Sequence, residues 1–569
     1  MKLIIRQYLA ALNERNELDA ILPDLLSELG LNVYSRPGRG TRQDGVDVAA
    51  VGSLSGGIEK VYLFSIKAGN LTRNSWDGAG LQSLRPSLNE ILDSYIPNRL
   101  PNEHKDKDIV ICLCFGGDIQ EQVRPQVEGY IKQIQKDNIS FEEWNGDKLA
   151  SLIQSSFMRE ELMPNSARSQ LRKSLALLDE PEASYKHFST LVGSLTSIEN
   201  KDGKAQITAI RQINICLWIL FAWSREAKNT EAAYLSSELV LLHGWELAKT
   251  YINQKNKLAQ SIRLAFDSIL VAHHQICFDY LENKICPHTN KLHALSTEIR
   301  GSCDLDVNLK LFDILGRLAM GGIWTYWYQS RLSDENNETK DKIWEETRKY
   351  TTAIKGLIVN NPILFLPIKD DQAIDICLGL LLLAIDNKSN PKEIVYWLTQ
   401  MMEQIDFSLK IKGPFPCNIN LYSDLLEHPS KEDGYLEENT SGSILYPMIA
   451  VWATLLEDSN LYAQMQSVKE QHLGHCNFQY WYPDENSEQY FYTNSDIHGA
   501  TLSNVCIERT SEEFQEQVFG ECEKSPFYNS LSAVEIGFWP LILIACRHYR
   551  LPIPLHLLQG FLKTQVEQE

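Results

Sequence analysis

The chain has 569 residues, 44% hydrophobic and 22% charged, the balance of a folded globular protein and too apolar for a disordered one. At ~150 residues per domain, that is core enough for three or four domains. Lys and Arg number 54 against 74 Asp and Glu, a net charge of −20. This excludes a protein that coats nucleic acid by bulk positive charge, although not a local basic groove on an acidic body. The longest apolar run, 376–385, is half the ~20 residues that span a bilayer and reads as a buried helix. The first residues interrupt their apolar start with Lys2 and Arg6 and offer no small-residue cleavage site, so they do not read as a signal peptide. Twelve cysteines without a CxxC pair read as reduced, mostly buried thiols of a cytoplasmic protein, with no membrane partner.

Up to about residue 165 the pattern alternates between helix and strand. Residues 17–29 are apolar at helical spacing, through Leu18, Ile21, Leu22, Leu25 and Leu29, and stop at Gly30. Residues 32–34 read as a short strand. A Gly/Arg loop from Arg36 to Arg42 leads into a strand over 45–50, and a turn over 53–57 joins it to 61–67, which predicts a hairpin. Asp44, before Gly45, reads as a turn residue. A helix over 87–95 follows, opened by the capping box Ser87-Leu88-Asn89-Glu90, which makes Glu90 structural. Residues 109–115 form a buried strand that closes on Gly116-Gly117. Then come a helix to Ile134, a strand over 139–143, and a helix opened by Asn145-Gly146-Asp147. The order describes a mixed sheet with helices on its faces.

Beyond residue 165 strand signals nearly vanish. The segments 212–223, 232–251, 258–283 and 341–359 carry helical periodicity, and no repeat of fixed period occurs. A polar Gly/Pro/Ser stretch at 412–442 is the best later boundary. Residues 477–482 alternate and are followed by Pro483-Asp484-Glu485-Asn486 and then Tyr490-Phe491-Tyr492, which predicts a small aromatic hairpin. Asp484, Glu485, Glu488 and Asp496 surround these rings, which suits packing or a protein contact better than base stacking. His273, Cys277, Cys286 and His288, like His472, His475 and Cys476, lack the close paired spacing of a zinc site and read as packed or surface residues. No GxxxxGK[ST] phosphate loop occurs.

The sharpest chemical signal lies in the hairpin. Asp47 falls on its first strand and Ser65-Ile66-Lys67 on its second, where alternation puts Ser65 and Lys67 on one face. A carboxylate and an ammonium on one sheet face suit metal-dependent phosphodiester hydrolysis: the acid holds Mg²⁺, and the lysine orients water or steadies developing charge. The residues alone equally describe a surface ion pair on an ordinary sheet. Between residues 36 and 73 six basic side chains meet three acidic ones. Arg36, Arg39, Arg42 and Arg73 are therefore candidates to meet a phosphate backbone, the alternative being a solvated loop.

With Leu29-Gly30 closing a helix, Gly45-Val46-Asp47 entering a strand, and Ser65-Ile66-Lys67 ending the next, the chain resembles the PD-(D/E)XK nuclease superfamily, in particular its Mrr-like restriction-endonuclease branch. The likeness covers roughly the first 160 residues and implies a restriction-endonuclease-like α+β domain over 1–165, a mixed sheet flanked by helices. It implies Asp47 as metal-binding acid, Lys67 as catalytic lysine, and the Ile66 carbonyl and Asp19 as further ligands, with Glu17 a lesser choice. Ser65 departs from the pattern, standing where the superfamily has an acid or Gln. Serine is a poor Mg²⁺ ligand beside carboxylate, so the triplet of Asp47, Ser65 and Lys67 needs a second acid from elsewhere. The implied activity is a Mg²⁺- or Mn²⁺-dependent endonuclease on nucleic acid, foremost double-stranded DNA, in bacterial defence against phage or foreign DNA. The mostly all-α remainder, divided at 166–412 and 413–569, would sense, assemble, or contact protein partners or a second copy. The alternative is a nuclease fold without catalysis that binds or scaffolds.

Overall fold

A computed structural model of the chain describes residues 2–36, 43–78, 83–136, 138–157, 165–197, 203–299, 301, 303–331, 337–386, 390–494, 499–502 and 505–559. It divides into two compact units, 1–276 and 277–569.

Two helices open the first unit, α1 (Lys2–Ala11) and α2 (Asp19–Glu28), joined by a π-helical turn over Glu14–Leu18. The helix predicted over 17–29 is thus the end of this turn plus α2, and it buries Leu18, Ile21, Leu22 and Leu25. Helix α1 goes beyond the predicted elements; Ile5, Tyr8 and Leu9 bury its inner face. Strands β1 (Asn32–Ser35), β2 (Val48–Gly52) and β3 (Lys60–Lys67) follow. Next come α3 (Arg73–Asp77), α4 (Leu84–Glu90) with a π-helical continuation over Ile91–Tyr95, and α5 (Ile96–Asn98). Strand β4 (Ile109–Phe115), α6 (Arg124–Ile134), β5 (Ile139–Trp144) and α7 (Gly146–Ser156) complete the layer.

The five strands lie in sequence order, antiparallel from β1 to β3 and parallel from β3 to β5. This is the mixed sheet with helices on its faces that the alternating pattern predicts. Each parallel step takes a helical crossover, α3 to α5 and then α6, as parallel neighbours require. Strands β3 and β4 are covered on both faces, which is why they read as near-continuous apolar runs. Val61, Leu63, Ile109, Ile111 and Leu113 share one core with Leu84, Leu88, Ile91, Val127 and Tyr130. On the other face Phe64 meets Trp144 edge to face at 5.0 Å, and Lys148 of α7 lies 4.4 Å over the Trp144 ring.

Helix α4 starts at Leu84, after Ser83, so the predicted capping box at Ser87 does not form. Ser87 sits inside the helix, where its Oγ donates to the Ser83 carbonyl at 3.1 Å. Pro86 permits the earlier start, because an N–H in the first turn would have no intrahelical acceptor. The cap at Asn145 does form; its Oδ1 accepts from the Lys148 N–H at 2.9 Å.

The first unit continues with α8 (Asn165–Ala176), α9 (Pro181–Thr196), α10 (Gly203–Glu226), α11 (Glu231–Ala248) and α12 (Lys257–Cys277). Among the described residues α10 alone is long and apolar enough to cross a membrane, and 89% of its apolar window is buried, so it is a core helix here.

The second unit is mostly helical. Its longest helices are Asp304–Ser330 and Asn337–Asn360, and the apolar run predicted as buried lies in the helix Ala373–Ile385. The aromatic hairpin forms with a different partner. Tyr480–Pro483 pairs antiparallel with Gly499–Leu502, whereas Asn477–Phe478 runs parallel to Gly442–Ser443. Tyr490 ends a helical turn, and both Phe491 and Tyr492 are 0% exposed, Phe491 stacking on Trp481 at 5.6 Å. A strand with one solvent face buries alternate residues, so two consecutive buried rings belong to the core instead.

Candidate functional site

The turn before β2 is shaped by Gly45. Its φ is +82°, and a Cβ there would lie 2.0 Å from the Ser87 carbonyl oxygen, so only glycine lets the chain press against α4. Asp44 beside it has φ 47° and pairs with Arg99 at 2.6 Å, the turn role expected of it. Asp47 therefore emerges immediately before β2 and not within it. Its N–H donates to the Phe64 carbonyl at 2.8 Å, and its Oδ2 accepts from the Ile66 N–H at 2.7 Å. Backbone and side chain alike are fastened to β3, leaving Oδ1 as the oxygen for a ligand.

Lys67, the last residue of β3, is only 6% exposed, and its Nζ donates to Glu14 Oε1 at 3.2 Å. Ser65 is fully buried, and its Oγ has no hydrogen-bond partner among the described residues. Burial pushes the Asp47 carboxyl up to about 6; the Ile66 N–H and Lys67 pull it down, Glu14 pushes it up, and Arg15 pulls it down. Glu14 bonds the Lys67 ammonium at the carboxyl end of β3, and Asp47 is fastened to the Ile66 N–H one residue away. A crevice at the carboxyl ends of parallel strands is where open α/β sheets bind ligands.

Glu14 was not foreseen from sequence. The resemblance pointed to Asp19, which opens α2, or to Glu17. Glu17 is 1% exposed and engaged elsewhere: Arg225 of α10 donates to both its oxygens, at 2.5 and 3.1 Å. The available signal was the polar interval Asn13-Glu14-Arg15-Asn16-Glu17 between two apolar segments, a joint that sets acids beside the end of a strand.

The basic candidates divide. Arg36 is half-buried: desolvation pulls its pKa down, Asp24 of α2 pushes it up, Arg211 pulls it down and Asp267 of α12 pushes it up. Arg39 and Arg42 lie outside the described residues. Arg73 is exposed at the start of α3, behind a Thr72 cap whose Oγ1 accepts from the Ser75 N–H at 3.2 Å. Along the same edge of the sheet Lys2 pairs with Asp147 at 2.9 Å, and Arg6 with Asp118.

Among the described residues no three His, Cys, Asp or Glu side chains gather in a metal-holding group. The buried His273 bonds Ser237 Oγ at 2.9 Å, and the exposed His475 bonds Thr440 Oγ1 at 2.8 Å. The donor set at β3 nevertheless fits Mg²⁺, which takes one or two carboxylates from protein and keeps several waters. Asp47 and Glu14 could supply the charge, and Ser65, one residue before the Ile66 N–H that Asp47 accepts from, carries a buried Oγ without a partner among the described residues. No family model, curated protein or solved structure matches the chain.

Proposed function

We propose that the first unit is a restriction-endonuclease-like domain that cleaves phosphodiester bonds with a divalent metal. The observation that carries this reading is the Glu14–Lys67 pair at the carboxyl end of β3, with the Asp47 carboxylate held on the neighbouring Ile66 N–H. Asp47 and Glu14 would hold Mg²⁺ or Mn²⁺, which when bound acidifies a water and polarises the phosphate. Asp47 is pre-oriented by the Ile66 N–H, so its ligating oxygen does not have to be ordered on binding. Lys67, kept from bulk water, orients the attacking water or balances charge on the phosphoryl oxygens. Arg73, exposed at the start of α3, would meet a backbone phosphate of double-stranded DNA. The helical remainder, acidic and poor in basic clusters, suits contacts with protein partners or a second copy, in a cytoplasmic effector of bacterial defence against foreign DNA.

Two observations favour a second reading, a nuclease fold that binds without cutting: Lys67 is nearly buried, and a serine stands at position 65 where the resemblance expects an acid. Incubating the full chain with Mg²⁺ or Mn²⁺ and duplex DNA, single strands or RNA decides between them. The first reading expects cleavage that Asp47→Ala and Lys67→Ala abolish. Metal-indifferent binding, unchanged in Lys67→Ala and without cleavage, would establish the second.

A further inference from the structure

The π-helical turn that carries Glu14 has a second acid with a different partner. Glu17 lies in the core with 1% exposure, and its carboxylate is bound from two directions. Asn13 donates to it from its backbone N–H and from Nδ2, both at 2.7 Å. Arg225, near the end of α10, donates from Nη1 at 2.5 Å and Nη2 at 3.1 Å. The Arg225 guanidinium lies 4.9 Å over the Phe221 ring one helical turn back, so it is itself held in place.

The geometry of the turn gives these contacts a consequence. The Leu18 N–H reaches the Asn13 carbonyl at 3.1 Å, five residues back, the wide loop of a π-helix. In an α-helix residues three apart share a face. Glu14 and Glu17 do not behave so: one meets Lys67 of the sheet and the other meets α10. Relaxed into an α-turn, the segment would bring both acids to one side and could not keep both partners. A π-turn is rare and poorly favoured by itself, so something outside it must hold it open. The charge-assisted, two-pronged grip of Arg225 on a buried carboxylate is such a contact.

We infer that Arg225 is a positioning residue: through Glu17 it holds the π-turn in the shape that seats Glu14 against Lys67, so that α10 controls whether the site is assembled. The inference rests on the reading of Glu14, Asp47 and Lys67 as one working site. It assigns the helical part of the first unit a role in forming that site. Arg211, on the same helix, grips the far end of α2 through Glu28 at 3.0 Å, so α10 fastens both ends of the segment that bears Glu14.

Acylation of lysines in the full chain, followed by mass spectrometry, reads the seat directly. Lys67 is shielded in the wild type and becomes labelled in Glu14→Gln, which serves as the benchmark. Arg225→Met should label Lys67 to that benchmark, and Arg225→Lys should fall between. Arg225→Met strands a buried carboxylate and is prone to misfold, so Glu17→Gln with Arg225→Met is the decisive variant. It removes the stranded charge and keeps an acceptor for Asn13, but lacks the tie to α10. With a wild-type melting temperature it should still expose Lys67, and DNA cleavage should fall by up to ~100-fold. Lys249, half-buried in the same unit with 12% side-chain exposure and paired with Glu246 at 2.7 Å, is the internal control. The inference is overturned if the double variant keeps Lys67 shielded, or if Lys67 and Lys249 become labelled together as general loosening would produce. If the wild type cuts no substrate, the nuclease reading falls, whereas the labelling still decides the role of Arg225.

Discussion

Asp47 should make the metal-free protein less stable than it could be, in a way that depends on pH. Its carboxyl is pushed up to about 6 by burial, against ~3.9 in an unfolded chain. Between those values the folded chain keeps a proton that the unfolded chain has released, so stability falls as pH rises through the window. About two pH units at 1.36 kcal/mol each put the cost near 3 kcal/mol at pH 7 and above, and near zero below pH ~4. Asp47→Asn keeps an oxygen to accept from the Ile66 N–H and cannot ionise. It should therefore be more stable than wild type at pH 7 by up to ~3 kcal/mol, or roughly 5 °C in the melting of the first unit. The advantage should shrink steadily from pH 6 to pH 4. Mg²⁺ should recover much of the difference for the wild type and do nothing for the variant, because only the carboxylate gains from a cation. Thermal melts of both proteins from pH 4 to 8, with and without Mg²⁺, give the comparison. Parallel curves, or an asparagine variant less stable at pH 7, would refute the reasoning, since the ionisation cost would then be absent.

Ser65→Ala should be neutral or stabilising by up to ~1 kcal/mol in urea melts, because it removes a buried hydroxyl that has no partner. Ser65→Glu should tighten Mg²⁺ in calorimetric titration if the strand end is a metal centre; destabilisation without tighter binding would count against it. Arg211→Met should destabilise by ~3–5 kcal/mol, because Glu28, with 15% side-chain exposure, loses the partner that compensates its burial. A loss under ~1 kcal/mol in the same urea melts would mean that the pair is open to water in solution.

The sheet was legible because its signals are local. Strand β4 is a continuous apolar run closed by two glycines, and the β2–β3 pair is bounded by glycine turns, so each could be placed within a few residues. The start of α4 was misplaced because Ser83 and Ser87 both precede helical sequence, and Pro86 suggested the later one. Asp47 and Lys67 could be named from spacing because adjacent strands bring them together whatever surrounds them. Glu14 could not. It reaches Lys67 through a π-turn, and a departure of one residue from α-helical register leaves no periodic trace in five polar residues. Arg225 was less visible still, a single cation at the end of an apolar helix that meets its partner only through tertiary packing. Arg36 shows the converse failure: a basic residue near the motif counts toward a positive loop until the fold half-buries it among Asp24, Arg211 and Asp267.

The serine and the glutamate belong to one account. An acid at position 65 would sit in the ladder with β4, opposite Leu113, at a position with no exposure, and its place would be set by the sheet itself. Glu14 supplies a carboxylate to the same lysine from a turn, and that turn keeps its shape by contacts with α10. Moving the acid from strand to turn leaves the charge count at the site unchanged and alters what the site depends on. A ligand in the strand is present whenever the sheet is folded. On the inference drawn for Arg225, a ligand on the turn is present only when α10 grips Glu17, and α10 packs through the buried Ile213, Leu217, Trp218 and Phe221. On the proposed nuclease reading, the chain can keep an intact sheet while its site is unassembled, so that cleavage would wait on the state of α10.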